Sequence, residues 1–178
     1  SIDLSNSNSK LLVIVANKRG AISASKFDKI NYLGYPFSIS ENFQMRNTNK
    51  TITDSENELA EILNIAEKAN KKVVVYLSMC FGNPYGDPWN LDIVNHWVYK
   101  LSKMGVNDIS LSDTIGTSNP ESIKSIFSSL LKNYSDIEFG AHLHSDPVSW
   151  YNKVDSAFQA GCRRFDGAIK GFGGCPMA

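Results

Sequence analysis

The sequence predicts an α/β protein with a parallel sheet and helices packed outside it. Three observations carry that prediction. Short apolar runs alternate with segments of 3.6-residue hydrophobic period. The clearest run, Val73-Val74-Val75-Tyr76-Leu77, is continuous and β-branched, as a strand buried on both faces must be. The helical segments also share their punctuation. Asp87-Pro88, Asn119-Pro120 and Asp146-Pro147 read as N-cap plus first helical residue, and Gly105 and Gly161 read as C-terminal stops. Two architectures satisfy this alternation, a (β/α)8 barrel and a doubly wound open sheet. About six strand candidates fit an open sheet or an incomplete barrel, because a complete barrel takes about 250 residues.

The elements follow in order. Leu11 to Ala16 is an apolar run ended by Asn17-Lys18-Arg19-Gly20, a strand followed by a turn signal. Ile30 to Phe37 is a weaker strand, with Pro36 expected at its end or at a bulge. Ile52 to Ala69 places Leu59, Ile62, Leu63 and Ala66 on one helical stripe, with Thr53 and Glu56 spaced as a capping box. After the Val73–Leu77 strand, a helix from Pro88 to Met104 presents Ile93, Val94, Trp97, Val98 and Leu101. Asp108 to Ser112 is a short strand, and the helix from Pro120 carries Ile123, Phe127, Leu130 and Leu131. Ile137 to Leu143 is the next strand, and the helix from Pro147 carries Trp150, Val154 and Phe158. Arg164 to Ile169 completes the strand set.

The chain has 178 residues, the size of one domain, and residues 1–178 are expected to form a single domain. Lys and Arg total 18 and Asp and Glu total 18, so the net charge is zero. That argues against a nucleic-acid binder and against a polybasic membrane anchor. No run approaches the ~18 apolar residues of a membrane span. The first nine residues, Ser/Asn-rich, have neither the basic nor the apolar region of a signal peptide. Ser1 stands where an initiator Met would, so the chain is expected not to begin where its gene does. Cys80, Cys162 and Cys175 are odd in number and unevenly spaced, which reads as reduced thiols in the cytoplasm.

Both candidate folds bind ligands where strands hand over to the following helices. His142-Leu143-His144 lies at such a point, and residues i and i+2 of a strand share a face. The two imidazoles are either metal ligands or polar residues satisfied by backbone partners. Asp113 follows the Ser110-Leu111-Ser112 strand and either serves a reacting group or caps its turn. Asn17 and Ser78 end other strands and are candidate substrate contacts, with Ser40-Glu41 at an analogous place. Gly171-Phe172-Gly173-Gly174-Cys175-Pro176 is either a loop whose Cys works as acid, base or nucleophile, or a loop with an incidental thiol. Cys162 and Cys80 read as packing residues, and His96 as a surface or partly buried histidine.

In this order the motifs resemble those of the 3-hydroxy-3-methylglutaryl-CoA lyases. Val15 to Gly20 is similar to that family's strand-end Asn and Gly, and Ser40 to Asn49 to its Ser-Glu…Asn-x-Asn loop. Ser110 to Gly116 resembles its Ser-Leu-x-Asp-Thr-x-Gly stretch, His142-Leu143-His144 its HxH, and Gly173-Gly174-Cys175-Pro176 its signature loop. The resemblance implies a TIM barrel, entered here at the third of its eight strands. It implies cleavage of 3-hydroxy-3-methylglutaryl-CoA to acetyl-CoA and acetoacetate, the chemistry of leucine degradation and ketone bodies. It further implies an acyl-CoA substrate, a divalent cofactor (Mg²⁺ or Mn²⁺) and a homodimer at full length. His142 and His144 become metal ligands, Cys175 a proton-transfer thiol, and Asp113 a neighbour of the reacting groups. The alternatives are a related Claisen-type synthase or hydroxy-oxo-acid aldolase, against which the Gly-Gly-Cys-Pro loop argues, a non-catalytic acyl-CoA-binding fragment, and a truncated gene product without function.

Three features of that family have no match. The Asp-Gly-Leu-Arg-like first strand, the second strand with its catalytic Glu, and the metal-ligand Asn beyond the Cys loop are missing from the sequence. The chain is therefore expected to be truncated at both ends, to bind metal poorly by itself and to have little or no lyase activity. An interrupted barrel also exposes two sheet edges.

Overall fold

Chain order and sheet order coincide. In the computed structural model, which describes residues 3–172, the strands are β1 (Leu11–Ile14), β2 (Ile30–Ser38), β3 (Lys72–Ser78), β4 (Asp108–Asp113), β5 (Glu138–Leu143) and β6 (Arg164–Phe165). They form one six-stranded sheet in the order β1-β2-β3-β4-β5-β6, every pair parallel. A doubly wound sheet reverses its strand order at a switch point, and no reversal occurs here. Every crossover therefore runs in the same sense and the helices fall on one side, as in a (β/α)8 barrel. The chain forms six strands of such a barrel, with β1 and β6 at the two edges.

The helices are α1 (Lys18–Ser25), α2 (Glu41–Thr48), α3 (Ile52–Lys68), α4 (Leu91–Lys103), α5 (Pro120–Asn133) and α6 (Trp150–Gln159). Strand periodicity divides the residues cleanly. Leu33, Tyr35, Phe37, Val73, Val75, Leu77, Ile109, Leu111, Phe139 and Ala141 join the buried core beneath the helices. Leu59 and Ile62 of α3, Val94, Val98 and Leu101 of α4, and Ile123, Phe127 and Leu130 of α5 close that layer. Each such side chain contributes about 1.5–3 kcal/mol relative to exposure. The alternate residues, among them Leu12, Ile14, Tyr32, Val74, Tyr76, Ser110, His142, Arg164 and Asp166, form the inner face.

Pro36 sits within β2, paired with Tyr76, rather than at its end. The Gly34 carbonyl accepts from Val15 N on the β1 side, and Pro36, two residues on, faces the same way. β1 has ended by then, so the missing N–H costs the ladder nothing. β6 is shorter than Arg164–Ile169: it ends at Phe165, and residues 169–171 form a 3₁₀ turn.

Of the three Asx-Pro starts, only Asn119-Pro120 opens a helix as expected; its side chain accepts from Ser122 N at 2.8 Å. Asp87 is engaged by Ser40 and Asn42, and α4 starts later, capped by Asn90. Asp146 accepts from Val148 N and Ser149 N in a turn that leads into α6. The capping box of α3 uses Thr51 and Asp54, because the chain is already helical at Thr53. Gly105 and Gly161 hold positive φ just past α4 and α6, as a C-terminal stop requires. The helices α1 and α2 occupy segments expected as turn and loop; each is short and begins at a side-chain cap, Asn17 and Ser40.

Candidate active site at the carboxyl ends of the strands

β5 carries His142 onto the inner face, opposite Ser112 of β4. His142 Nδ1 lies 3.3 Å from Oδ2 of Asp166, and Ser110 Oγ donates to the same oxygen at 2.6 Å. The Tyr76 ring stands edge-on to the imidazole at 5.4 Å and 83°. A carboxylate that accepts from Nδ1 orients the ring and leaves Nε2 as the atom for a ligand. Burial pushes the Asp166 carboxyl up; the hydrogen bonds from His142 and Ser110, with the charges of His142 and Arg164, outweigh it and hold the group below its ordinary value. Burial, reinforced by Asp166, raises the Tyr76 phenol.

Deeper on the same face Arg164 Nη1 pairs with Asp108 Oδ1 at 3.2 Å. Arg164 Nε and Nη2 are buried without a hydrogen-bond partner among the described residues. The guanidinium lies against Gly140, where an added Cβ would come within 2.4 Å of Nε. Burial raises the Asp108 carboxyl despite the opposing charge of Arg164.

His144 lies one residue beyond β5, exposed, with its ring against Gly116. Its carbonyl accepts from Lys153 Nζ at 2.9 Å. Asp113 has the opposite strand parity to Ser110 and Ser112, so it points to the helical layer. Its side chain has no exposed area and is held by Lys153 Nζ at 2.9 Å, by Ser118 N at 3.0 Å and by Ser118 Oγ. Ser78 is buried at the end of β3 on the parity of Tyr76. Asn17 is exposed, and its Oδ1 caps α1 through Gly20 N at 2.9 Å.

Cys175 and its Gly-Gly-Cys-Pro loop lie outside the described residues. Cys80 and Cys162 are buried free thiols, as expected of packing residues; Cys80 Sγ donates to Leu77 O at 3.0 Å. His96 is exposed on α4 beside Trp97.

His142 and His144 supply two nitrogen donors of the kind a divalent metal takes, and the Asp166 contact is the outer support such a ligand needs. Among the described residues no group of three or more His, Cys, Asp or Glu side chains could hold a metal ion. Two histidines are at most part of such a ligand set. Sequence reasoning missed Asp166, Ser110, Tyr76 and Lys153. Lys153 had a signal: it lies three residues after Trp150 and four before Ala157, on the stripe that α6 buries. Trp150 and Phe158, expected on the apolar face, are about half exposed.

Fold and site together define a (β/α)-barrel protein with a polar site at the carboxyl ends of its strands, where enzymes of this architecture place their chemistry. The chain belongs to the HMGL-like family, which it matches over residues 7–175. It is similar to the hydroxymethylglutaryl-CoA lyase YngG of Bacillus subtilis, 33% identical over 93% of this chain and 55% of that protein. The crystal structure of the Bacillus subtilis HMG-CoA lyase superposes with a TM-score of 0.85 at 32% identity, covering 94% of this chain and 56% of that one. An Acinetobacter baumannii HMG-CoA lyase in complex with coenzyme A and 3-methylmalate superposes at 0.84, with 28% identity over 94% of this chain and 54% of that chain. The chain thus spans about half the length of the lyases it matches. No helix among the described residues is long and apolar enough to cross a membrane.

Proposed function

We propose that the chain carries part of the active site of a 3-hydroxy-3-methylglutaryl-CoA lyase, the enzyme that cleaves this thioester to acetyl-CoA and acetoacetate. The observation that carries the proposal is the placement of His142 on the inner face, its Nδ1 turned to Asp166, at the end of a parallel barrel strand. In this reading His142 and His144 are two ligands of a divalent cation, Mg²⁺ or Mn²⁺. When bound, that cation supplies Lewis acidity to the substrate's tertiary hydroxyl and an adjacent oxygen. Asp166 keeps His142 in the tautomer that offers Nε2. Loss of the hydroxyl proton to a base lets the carbon–carbon bond break, and Cys175 delivers a proton to the enolate carbon of the departing acetyl-CoA. Ser78, on the inner-face parity, and Asn17, the cap of α1 just beyond β1, are the substrate-contact candidates. Asp113 belongs to the site as a group that positions its neighbours. A single catalytic domain, a homodimer for the whole protein and a cytoplasmic location complete the reading.

Two histidines are only part of a metal-ligand set, so residues 1–178 alone should bind the cation weakly and turn over little or no substrate. The test is acetoacetate release from the CoA ester by the purified chain with Mg²⁺ or Mn²⁺. Absence of turnover is expected, and robust metal-dependent release would overturn the partial-site reading.

A further inference from the structure

The ammonium group of Lys153 is almost fully withdrawn from water, and each of its three protons has an acceptor. Nζ lies 2.9 Å from Asp113 Oδ2, 2.9 Å from the His144 carbonyl and 3.2 Å from the Gly116 carbonyl. The side chains of Lys153 and Asp113 are 8% and 0% exposed. Removing both charges from water is costly, so the pair persists only because the remaining donors and acceptors are satisfied. These acceptors sit on three separate segments: the end of β4, the turn after it, and the segment that follows β5. The latter two already touch through the ring of His144 and Gly116, which holds a φ of +75°. A side chain at residue 116 would crowd the His144 ring at 3.1 Å, so ring and turn are closely matched in shape.

We propose that Lys153, anchored by Asp113, is a positioning residue for His144: it fixes the backbone from which that imidazole projects, while Asp166 independently fixes His142. The two histidines are thus held by different devices. His142 is held at its ring by a carboxylate just past β6, and His144 at its carbonyl by a cation on α6. The consequence for metal binding rests on the reading of His144 as a ligand; the positioning itself rests on the contacts alone.

The experiment uses the chain with ring ¹⁵N-labelled histidine and compares it with Lys153→Met and with Lys153→Met/Asp113→Leu. The double variant leaves no orphaned buried charge, which keeps the fold testable where the single variant fails. The expected result is a shift and broadening of the His144 ring resonances while those of His142 stay in place. Mn²⁺ affinity, read from paramagnetic relaxation, should fall about tenfold, the usual effect of removing an outer support of a ligand. Unchanged His144 resonances in the folded double variant would overturn the proposal, and so would equal movement of both imidazoles. If the parent chain binds no Mn²⁺, the metal reading fails, and the His144 resonances still decide the positioning role.

Discussion

Asp166 Oδ2 accepts from Ser110 Oγ at 2.6 Å and lies 3.3 Å from Nδ1 of His142, so one carboxylate oxygen ties β4, β5 and the end of β6 together on the inner face. Replacing Asp166 with Asn removes the charge that favours a proton on Nδ1. The expected outcome is a mixed tautomer for His142 and a loss of about tenfold or more in Mn²⁺ affinity. Ring ¹⁵N shifts of His142 and a metal titration check both.

The Lys153–Asp113 pair makes a sharp stability prediction. Lys153→Met leaves a buried carboxylate unpaired and should cost about 3–5 kcal/mol, whereas Lys153→Met/Asp113→Leu should recover most of that loss. Urea unfolding midpoints of the three proteins measure it.

Gly140 and Arg164 are register partners on adjacent strands. A methyl group at residue 140 displaces the guanidinium and breaks its contact with Asp108. Gly140→Ala should therefore destabilise by about 1–3 kcal/mol, and Arg164→Ala in the same chain should relieve part of it. A double-mutant cycle reads the coupling.

Asp87 predicts a pH dependence. Burial pushes its carboxyl up, but hydrogen bonds from Ser40 and Asn42 outweigh this and hold it below the ordinary value. A carboxyl lowered by folding stabilises the native state above its unfolded value, and that contribution is lost as pH falls through the lowered one. Asp87→Asn should be less stable than the parent at neutral pH, with the gap closing below about pH 4. Denaturation at pH 7 and pH 3 is the measurement.

Cys80 and Cys162 should be inert in the native state. Burial pushes both thiols up, and each sulfur donates to a backbone carbonyl. In a Cys175→Ser chain, Ellman's reagent should find no fast thiol at pH 8 and two after unfolding in urea.

The strand–helix alternation was legible because each element carries its own period. Val73 to Leu77 and the stripe of α5 needed no long-range information. The unreversed strand order, which separates barrel from open sheet, is a property of pairing and lay beyond local pattern. The HxH was visible as a spacing, but the support of His142 by Asp166 joins residues on different strands. Lys153 was hidden for a different reason. A stripe reading sends apolar residues inward, yet a lysine paired with Asp113 lies in the layer, while Trp150 and Phe158 are about half exposed. Asp87 misled in the same way: its local sequence reads as a cap, while Ser40 and Asn42 claim it.

The proposed divalent-metal site at the strand ends rests on His142 and His144. Mn²⁺ titration of the ring ¹⁵N-histidine chain tests it most directly, because exposed His96 on α4 serves as an internal control. The expected result is selective broadening of His142 and His144 at metal concentrations that leave His96 sharp, abolished by His142→Ala/His144→Ala as judged from the surrounding amide resonances. Equal broadening of all three imidazoles, or none, would contradict it.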